Sequence, residues 1–361
     1  MKKILFLIQN LGGGGSERIA VTLINNLENK NYKKTLIILE NHGIFQSEIE
    51  SDILKVIYKN LFKNRSVNFI LNFIKALFYI YKNKQNIVFS QYIPGKLFSF
   101  FIPFLPKQTD YIYREINLPL EMKKISRRSN RILDTFFYKF GISNYSSIVV
   151  QSIDMKEKLI ELSPQITQKI ILINNPIDCK VIDKKINESI KIMNEKNKLN
   201  LISVGRLNQQ KGYDLLIRSL MKIKNINYEL KILGIGKEEE NLLKLIKENN
   251  LEKKIKLIGF KKNPYIYMKE ADFFISSSRF EGFPNAVLEA NYCGIPVIAN
   301  NYKGGINEII ENGVNGEIID ITDSGQLRNA LLKKYNSLEI KKRIKEKYDV
   351  NIIIKKYEEI F

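Results

Sequence analysis

From Asn200 onward the chain reads NLISVGRL, KGYDLLIRSLMKI, YELKILGIG, EEENLLKLIKENN and KIKLIGF, and this alternation leaves few folds open. The short runs rich in Ile, Leu and Val have the length of buried strands. The stretches between them space their apolar residues as one face of a helix does. A strand followed by a helix and a further strand of the same sheet needs a crossover, which is right-handed and makes the strands parallel. ADFFISSS, GIPVIA and GEIID continue the series.

The first part repeats the theme with KILFLI, a glycine loop, and SERIAVTLINNLENK, in which Ile19, Leu23, Ile24 and Leu27 fall at helical spacing. Further strands are expected at KKTLIIL, NIVFSQ, DYIYRE and SSIVVQS. Asn174, Asn175 and Pro176 in ILINNPID form a turn signal after an apolar run. The expectation is an α/β chain of two Rossmann-like domains: 1–175, a hinge and connector at 176–198, and 199–340, with a helical segment at 341–361 packing back on the first domain.

A length of 361 residues suits two cores, and 44% apolar with 27% charged residues suits a folded globular chain. Lys and Arg number 58 against 38 acids, a net charge of +20 that fits nucleic acid, an anionic membrane face or a phosphorylated substrate. Two cysteines, Cys179 and Cys293, and the single His42 cannot build a metal cluster, and they suit a reducing cytosol. The opening MKKILFLIQNLGGGG lacks a small-residue cleavage site and reads as a buried first strand, not a signal peptide.

VNFILNFIKALFYIY, Val67 to Tyr81, is broken by Asn68, Asn72 and Lys75. A membrane-spanning helix needs about 20 apolar residues, so a buried or surface-lying helix is expected instead. Phe69, Ile70, Phe73 and Leu77 are its candidates for packing on the sheet. Lys59, Lys63, Arg65, Lys75, Lys82 and Lys84 give it a basic border suited to the anionic inner membrane surface.

Four stretches offer chemistry. In LGGGGSER, Gly12 to Gly15 let the backbone turn tightly, and the following helix start offers N–H groups to an anion. Arg18 on that helix faces either solvent or the ligand cleft. In SVGRLNQQKG, Arg206 follows a strand and Lys211 stands five residues later at a helix start. One supplies a rigid fork and the other a mobile point charge, a pairing suited to a diphosphate. SRFEGFPNAVLEANYCGIPVI sets Glu281 and Glu289 eight residues apart around Pro284 and Asn285, which favour a turn into a helix. Two carboxylates accept several hydrogen bonds each, as the vicinal hydroxyls of a sugar nucleotide would require.

These stretches, with NPID, LGIG, IGF and ANNYKGGINEII, make the chain resemble the retaining GT-B glycosyltransferases of glycosyltransferase family 4. The resemblance implies a GT-B fold, two Rossmann-like domains facing across a cleft. It implies a nucleoside diphosphate sugar donor, UDP-linked, a hydroxyl of a growing polyprenyl-diphosphate-linked bacterial glycan as acceptor, and no bound cofactor or metal. By the same resemblance Gly205, Arg206 and Lys211 hold the donor diphosphate, Glu289 binds ribose hydroxyls and Glu281 sits by the donor sugar. Backbone at Phe283, Pro284, Asn285 and Ala286 meets sugar hydroxyls or phosphate. Gly259, Phe260 and the turn from Lys261 to Pro264 contact the base, and Gly13, Gly14 and Gly15 close over the phosphate. Arg206, Lys211 and Glu281 are the catalytic candidates, with Arg206, Lys211 and helix N–H groups stabilising charge on the leaving group. Where many relatives carry a histidine late in the first domain, this chain has YIYREINLP, which leaves Arg114, Glu115 and Asn117 as replacements. A nucleotide-sugar epimerase of similar architecture and a basic nucleic-acid-binding protein are the alternatives, the second lacking any zinc or RNP signature.

Overall fold

Strands buried on both faces need helices on both faces, and β1 (Lys2–Ile8) is such a strand, with Ile4, Leu5, Phe6 and Leu7 all fully buried. The computed structural model describes residues 1–119, 128–188 and 197–361, so 189–196 of the expected connector lie outside the described residues. The described chain separates into two compact units, one of Met1–Pro176 with Val350–Phe361, the other of Ile177–Asp349.

In the first unit β1 is followed by α1 (Gly15–Asn26), β2 (Tyr32–Ile38), β3 (Leu54–Ile57), α2 (Arg65–Asn83), β4 (Ile87–Gln91), α3 (Tyr92–Phe98), β5 (Asp110–Arg114), α4 (Arg128–Phe136), β6 (Ser147–Val150), α5 (Ile153–Leu162) and β7 (Ile170–Leu172). The seven strands are parallel in the order β3-β2-β1-β4-β5-β6-β7. β1 runs beside β2 from Lys2 opposite Tyr32 to Ile8 opposite Ile38, and beside β4 with Ile4 opposite Ile87. Side-chain caps start the helices where the sequence offers an acceptor. Asn64 accepts from the N–H groups of Ser66 and Val67 at α2, and Ser152 from that of Met155 at α5.

The second unit opens with α6 (Cys179–Ile186) and runs through β8 (Leu199–Val204), α7 (Tyr213–Leu220), β9 (Tyr228–Leu233), α8 (Glu239–Glu248), β10 (Ile255–Gly259), α9 (Tyr265–Lys269), β11 (Phe273–Ser276), α10 (Asn285–Tyr292), β12 (Val297–Asn300), α11 (Ile306–Ile309), β13 (Gly316–Ile319), α12 (Ser324–Ala330) and α13 (Ser337–Tyr348). Its parallel order is β10-β9-β8-β11-β12-β13. One face is cored by Leu216, Ile217, Leu242 and Ile246, the other by Val287, Leu288, Tyr292 and Met268.

The C-terminal stretch, continuous in helical pattern, is divided in the structure. Asn336 caps α13 by accepting from Leu338 and Glu339 N–H, and Asp349 takes the chain out of it. The last helix, α14 (Val350–Glu358), then belongs to the first unit. Its Tyr357 ring lies 6.1 Å from Phe89 of β4 and 5.7 Å from Phe361, and Phe361 lies 6.5 Å from Phe6 of β1. Emptying the space of a buried aromatic costs roughly 3–5 kcal/mol. Tyr357→Ala should therefore lower first-unit stability by that amount in urea unfolding. A loss below about 1 kcal/mol would mean that α14 is not part of this core.

Candidate functional site

Each sheet changes its direction of growth once, and a parallel sheet leaves a crevice beyond the carboxyl ends of its strands at that point. In the second unit the change falls between β8 and β11. The segments leaving those strands, 205–211 and 277–284, carry the sequence candidates Gly205, Arg206, Lys211, Glu281, Phe283 and Pro284.

The structure joins Lys211 and Glu281 directly: Lys211 Nζ donates to Glu281 Oε1 at 2.6 Å, with 20% and 10% of the two side chains exposed. Ser278 Oγ donates to the same oxygen at 2.7 Å, and Gln210 Nε2 to Oε2 at 3.3 Å. Ser277 Oγ donates to the Lys211 carbonyl at 2.8 Å, tying the two segments together again. Gly212, at φ +62, lets the chain turn from Lys211 into α7; a Cβ there would stand 2.1 Å from the Ser277 carbonyl oxygen. Gly304, at φ +120, fits under the Glu281 carbonyl in the same way, and Glu281 N–H donates to Lys303 O.

Arg206 differs from Lys211. It is exposed, and among the described residues no partner hydrogen-bonds its guanidinium. Lys211 folds back over Gly205, where a Cβ would come within 3.0 Å of Lys211 Cε and 2.9 Å of the Tyr213 hydroxyl. That hydroxyl is buried without a partner among the described residues. Burial first, and the Glu281 carboxylate second, hold the phenols of Tyr213 and Tyr302 well above the ordinary tyrosine range.

The remaining candidates of this unit are placed as follows. Asn285 and Ala286 open α10, with Pro284 just before it, and Glu289 stands in its second turn, half-buried. The Phe283 side chain is buried 5.9 Å from the Tyr348 ring, leaving its backbone to the segment. Gly259 ends β10 at φ +72 with its carbonyl accepting from Gly234 N–H, and Phe260 after it is 49% exposed. Gly234 in turn abuts the Gly205 carbonyl, so the ends of β8, β9 and β10 lie side by side. Gln210, Ser278, Tyr213 and Gly304 were not singled out from sequence. Polar residues inside an expected turn carry no signal until the partner segment is known.

In the first unit the change of direction falls between β1 and β4. The chain bends through Gly13 and Gly14 into α1 without a left-handed φ at any of Gly12 to Gly15, and Gly14 is extended at φ −85, ψ 160. What glycine supplies there is room, since a Cβ at Gly14 would stand 2.3 Å from Glu17 Oε2. No side chain caps α1. Asn10 Oδ1 accepts from Gly12 N–H at 3.0 Å, while its Nδ2 donates to buried Glu40 at 3.1 Å. Arg65 Nε donates to Glu40 Oε1 at 2.7 Å, and its Nη2 lies 3.0 Å from His42 Nε2. Arg18 stacks over the Phe45 ring at 5.1 Å. At the end of β4, Tyr92 holds φ +57, a strained position for a residue with a side chain and one that sequence did not reveal.

Arg114 and Glu115 are 1% and 2% exposed and committed inward. Arg114 donates to Gln91 Oε1 at 3.1 Å and Asn175 Oδ1 at 2.5 Å, while Glu115 accepts from the Tyr138 hydroxyl at 2.6 Å. Asn117 alone of the three is partly exposed.

Residues 184–348 match the family described as glycosyl transferases group 1, a span that lies within the second unit. A Campylobacter jejuni protein named N-acetylgalactosamine-N,N'-diacetylbacillosaminyl-diphospho-undecaprenol 4-alpha-N-acetylgalactosaminyltransferase is 28% identical over 96% of this chain and 94% of its own. Among solved structures, Anabaena HepE in complex with UDP and glucose superposes with a TM-score of 0.77 at 18% identity, covering 100% of this chain and 99% of that one. Sucrose-phosphate synthase from Thermosynechococcus elongatus gives 0.79 at 15% identity over 100% and 98%. The two parallel-sheet Rossmann-like domains are those of the GT-B fold.

Two predictions follow from the geometry. Losing one partner of a buried pair strands the other charge at a cost of about 3–5 kcal/mol. Lys211→Ala should therefore destabilise the second unit measurably in urea, by roughly 2–4 kcal/mol after solvent access is allowed for, and Arg206→Ala should leave the midpoint unchanged. Equal midpoints for the two variants would refute the distinction between a paired and an open cation.

Glu40 supplies the second. Burial raises its pKa, but the Arg65, Asn10 and Gln9 hydrogen bonds outweigh this and hold the carboxyl below its ordinary value. Its contribution is thus complete above the unfolded carboxylate range, about pH 4.3, and fades as pH falls through the lower folded value. In thermal melts the gap between wild type and Glu40→Gln should narrow below about pH 4. A gap independent of pH would contradict this.

Proposed function

We propose that this chain, which carries a glycosyltransferase group 1 domain, moves a sugar from a nucleoside diphosphate donor, UDP-linked, to a hydroxyl of a growing lipid-linked bacterial glycan, with retention at the anomeric carbon. The observation that carries the reading is the Lys211–Glu281 pair beside the open Arg206 guanidinium at the β8–β11 crevice. A diphosphate needs fixed positive charge, and the adjacent sugar needs acceptors for its hydroxyls. The donor assignment is further supported by HepE, solved with UDP and glucose, and the acceptor by the name of the Campylobacter relative.

In this reading Arg206 and Lys211 bind the diphosphate and stabilise the charge that develops on it as the anomeric bond breaks. Lys211 is held in place by Glu281, which offers its remaining acceptor capacity to the donor sugar. Glu289 on α10 takes the ribose hydroxyls, Phe260 and the Gly259 backbone face the base, and backbone from Phe283 to Ala286 meets sugar hydroxyls or phosphate. The acceptor attacks on the face the diphosphate leaves, its proton passing to the departing phosphate oxygen. No observation favours an epimerase or a nucleic-acid-binding protein.

Arg206→Ala should weaken donor binding or transfer by roughly 1.5–3 kcal/mol, the worth of a charge-assisted contact. Glu289→Gln should weaken free UDP and the complete donor alike. Glu281→Gln should act mainly on the complete donor. Calorimetry with UDP and with a panel of UDP-sugars, paired with mass spectrometry of products on a lipid-linked glycan, reads both effects. Unchanged donor affinity together with unchanged transfer in Arg206→Ala, or equal losses of UDP and donor in both glutamate variants, would overturn these assignments.

A further inference from the structure

Helix α2 has two apolar faces, and the sheet uses one of them. Asn68, Asn72, Phe73, Ala76 and Ile80 are buried. On the opposite side Val67, Ile70, Ile74, Phe78 and Tyr81 are 39%, 58%, 46%, 74% and 62% exposed. At about 100° per residue these five fall within an arc of about 80°, a single ridge along the helix. The stripe named from sequence divides: Phe73 packs inward, Phe69 and Leu77 are half-buried, and Ile70 stands on the ridge. The structure also adds neighbours. Phe101, 42% exposed, sets its ring edge-on to Phe73 at 5.8 Å and brings the turn ending in Phe104, 78% exposed, beside the helix. Leu61 and Phe62, also exposed, precede the helix.

A contiguous exposed apolar surface of this kind marks an interaction site. Its charge decides what meets it. From Lys59 to Lys84 the sequence contains six basic residues, Lys59, Lys63, Arg65, Lys75, Lys82 and Lys84, and no acid. Of these all but half-buried Lys75 are exposed, and they stand mainly at the two ends of the ridge. A second copy docking by the same face would set these cations against their own duplicates. An anionic lipid surface satisfies both features, taking the ridge into its acyl boundary and the lysines among its headgroups. No helix among the described residues is long and apolar enough to cross a membrane.

We propose that the α2 ridge, with Phe101 and Phe104, is a docking face for an anionic phospholipid surface on which the first unit lies without spanning it. The inference rests on the lipid-linked acceptor reading for its purpose, since such an acceptor resides at a membrane. The binding is a property of the surface alone.

The chain contains no tryptophan, so one introduced indole reports without background. Phe78→Trp places it on the ridge, and Leu338→Trp at a position 81% exposed in the second unit serves as the control. With vesicles of equimolar phosphatidylglycerol and phosphatidylcholine at low salt, Phe78→Trp emission should shift to the blue. The shift should shrink with pure phosphatidylcholine and with added salt, and Leu338→Trp should not respond. Ile70→Asp with Ile74→Asp should reduce vesicle sedimentation at least about tenfold while the thermal melt stays that of wild type. No shift, equal shifts at both positions, or undiminished sedimentation of the double variant would overturn the proposal. So would a blue shift without vesicles that follows a dimer mass in light scattering, which assigns the ridge to a second copy. No sugar nucleotide is present in these assays, and transfer to a soluble acceptor analogue is measured separately, so failure here leaves the transferase reading standing.

Discussion

The ion pair between Lys211 and Glu281 depends on a topological fact: the second sheet grows from β8 through β9 to β10 and then returns to place β11 on the other side of β8. Two segments distant in sequence therefore leave neighbouring strand ends and must be reconciled with each other. Their polar groups are spent on that task. Ser277 and Ser278 reach Lys211 and Glu281, Asn300 Nδ2 donates to the Ser278 carbonyl at 3.0 Å, and Arg279 closes a bidentate contact with Asp214. Among the described residues the Arg206 guanidinium has no such commitment, and this sets it apart from Lys211.

Gly212 and Gly304 serve the same arrangement by allowing backbone to touch backbone where any side chain would collide. A pair held this firmly needs little reorganisation when charge develops nearby, which is the condition under which electrostatic stabilisation is most effective. The first unit shows a parallel economy in its own sheet. Asn10 uses one amide to hold the Gly12 N–H and Glu40 together, so the loop after β1 is ordered by hydrogen bonds that start from β2 and α2.

Much of this was legible in the sequence, because unbroken apolar runs such as KILFLI and YELKIL can be satisfied only by strands covered on both faces. Arg206, Lys211 and Glu281 were legible as charges placed between a strand and a helix, and Glu289 as one on the helix that follows. The link between Lys211 and Glu281 was not, since a spacing of 70 residues says nothing of proximity until the strand order is known. The glycine loop was legible as a bend before a helix; that it needs no left-handed φ, and that Gly14 leaves room for the Glu17 carboxylate, was not. Arg114 and Glu115 sat where a ligand contact was sought, yet burial at a strand end sends them to Gln91, Asn175 and Tyr138.

The claim that the β8–β11 crevice receives the nucleotide of the donor can be checked by backbone hydrogen exchange in the presence of UDP. Saturating UDP should slow exchange in peptides covering 203–212 and 278–290, with β12 and α12 unaffected. Exchange in those two segments identical with and without saturating UDP, or protection confined to other elements of the second unit, would contradict the claim.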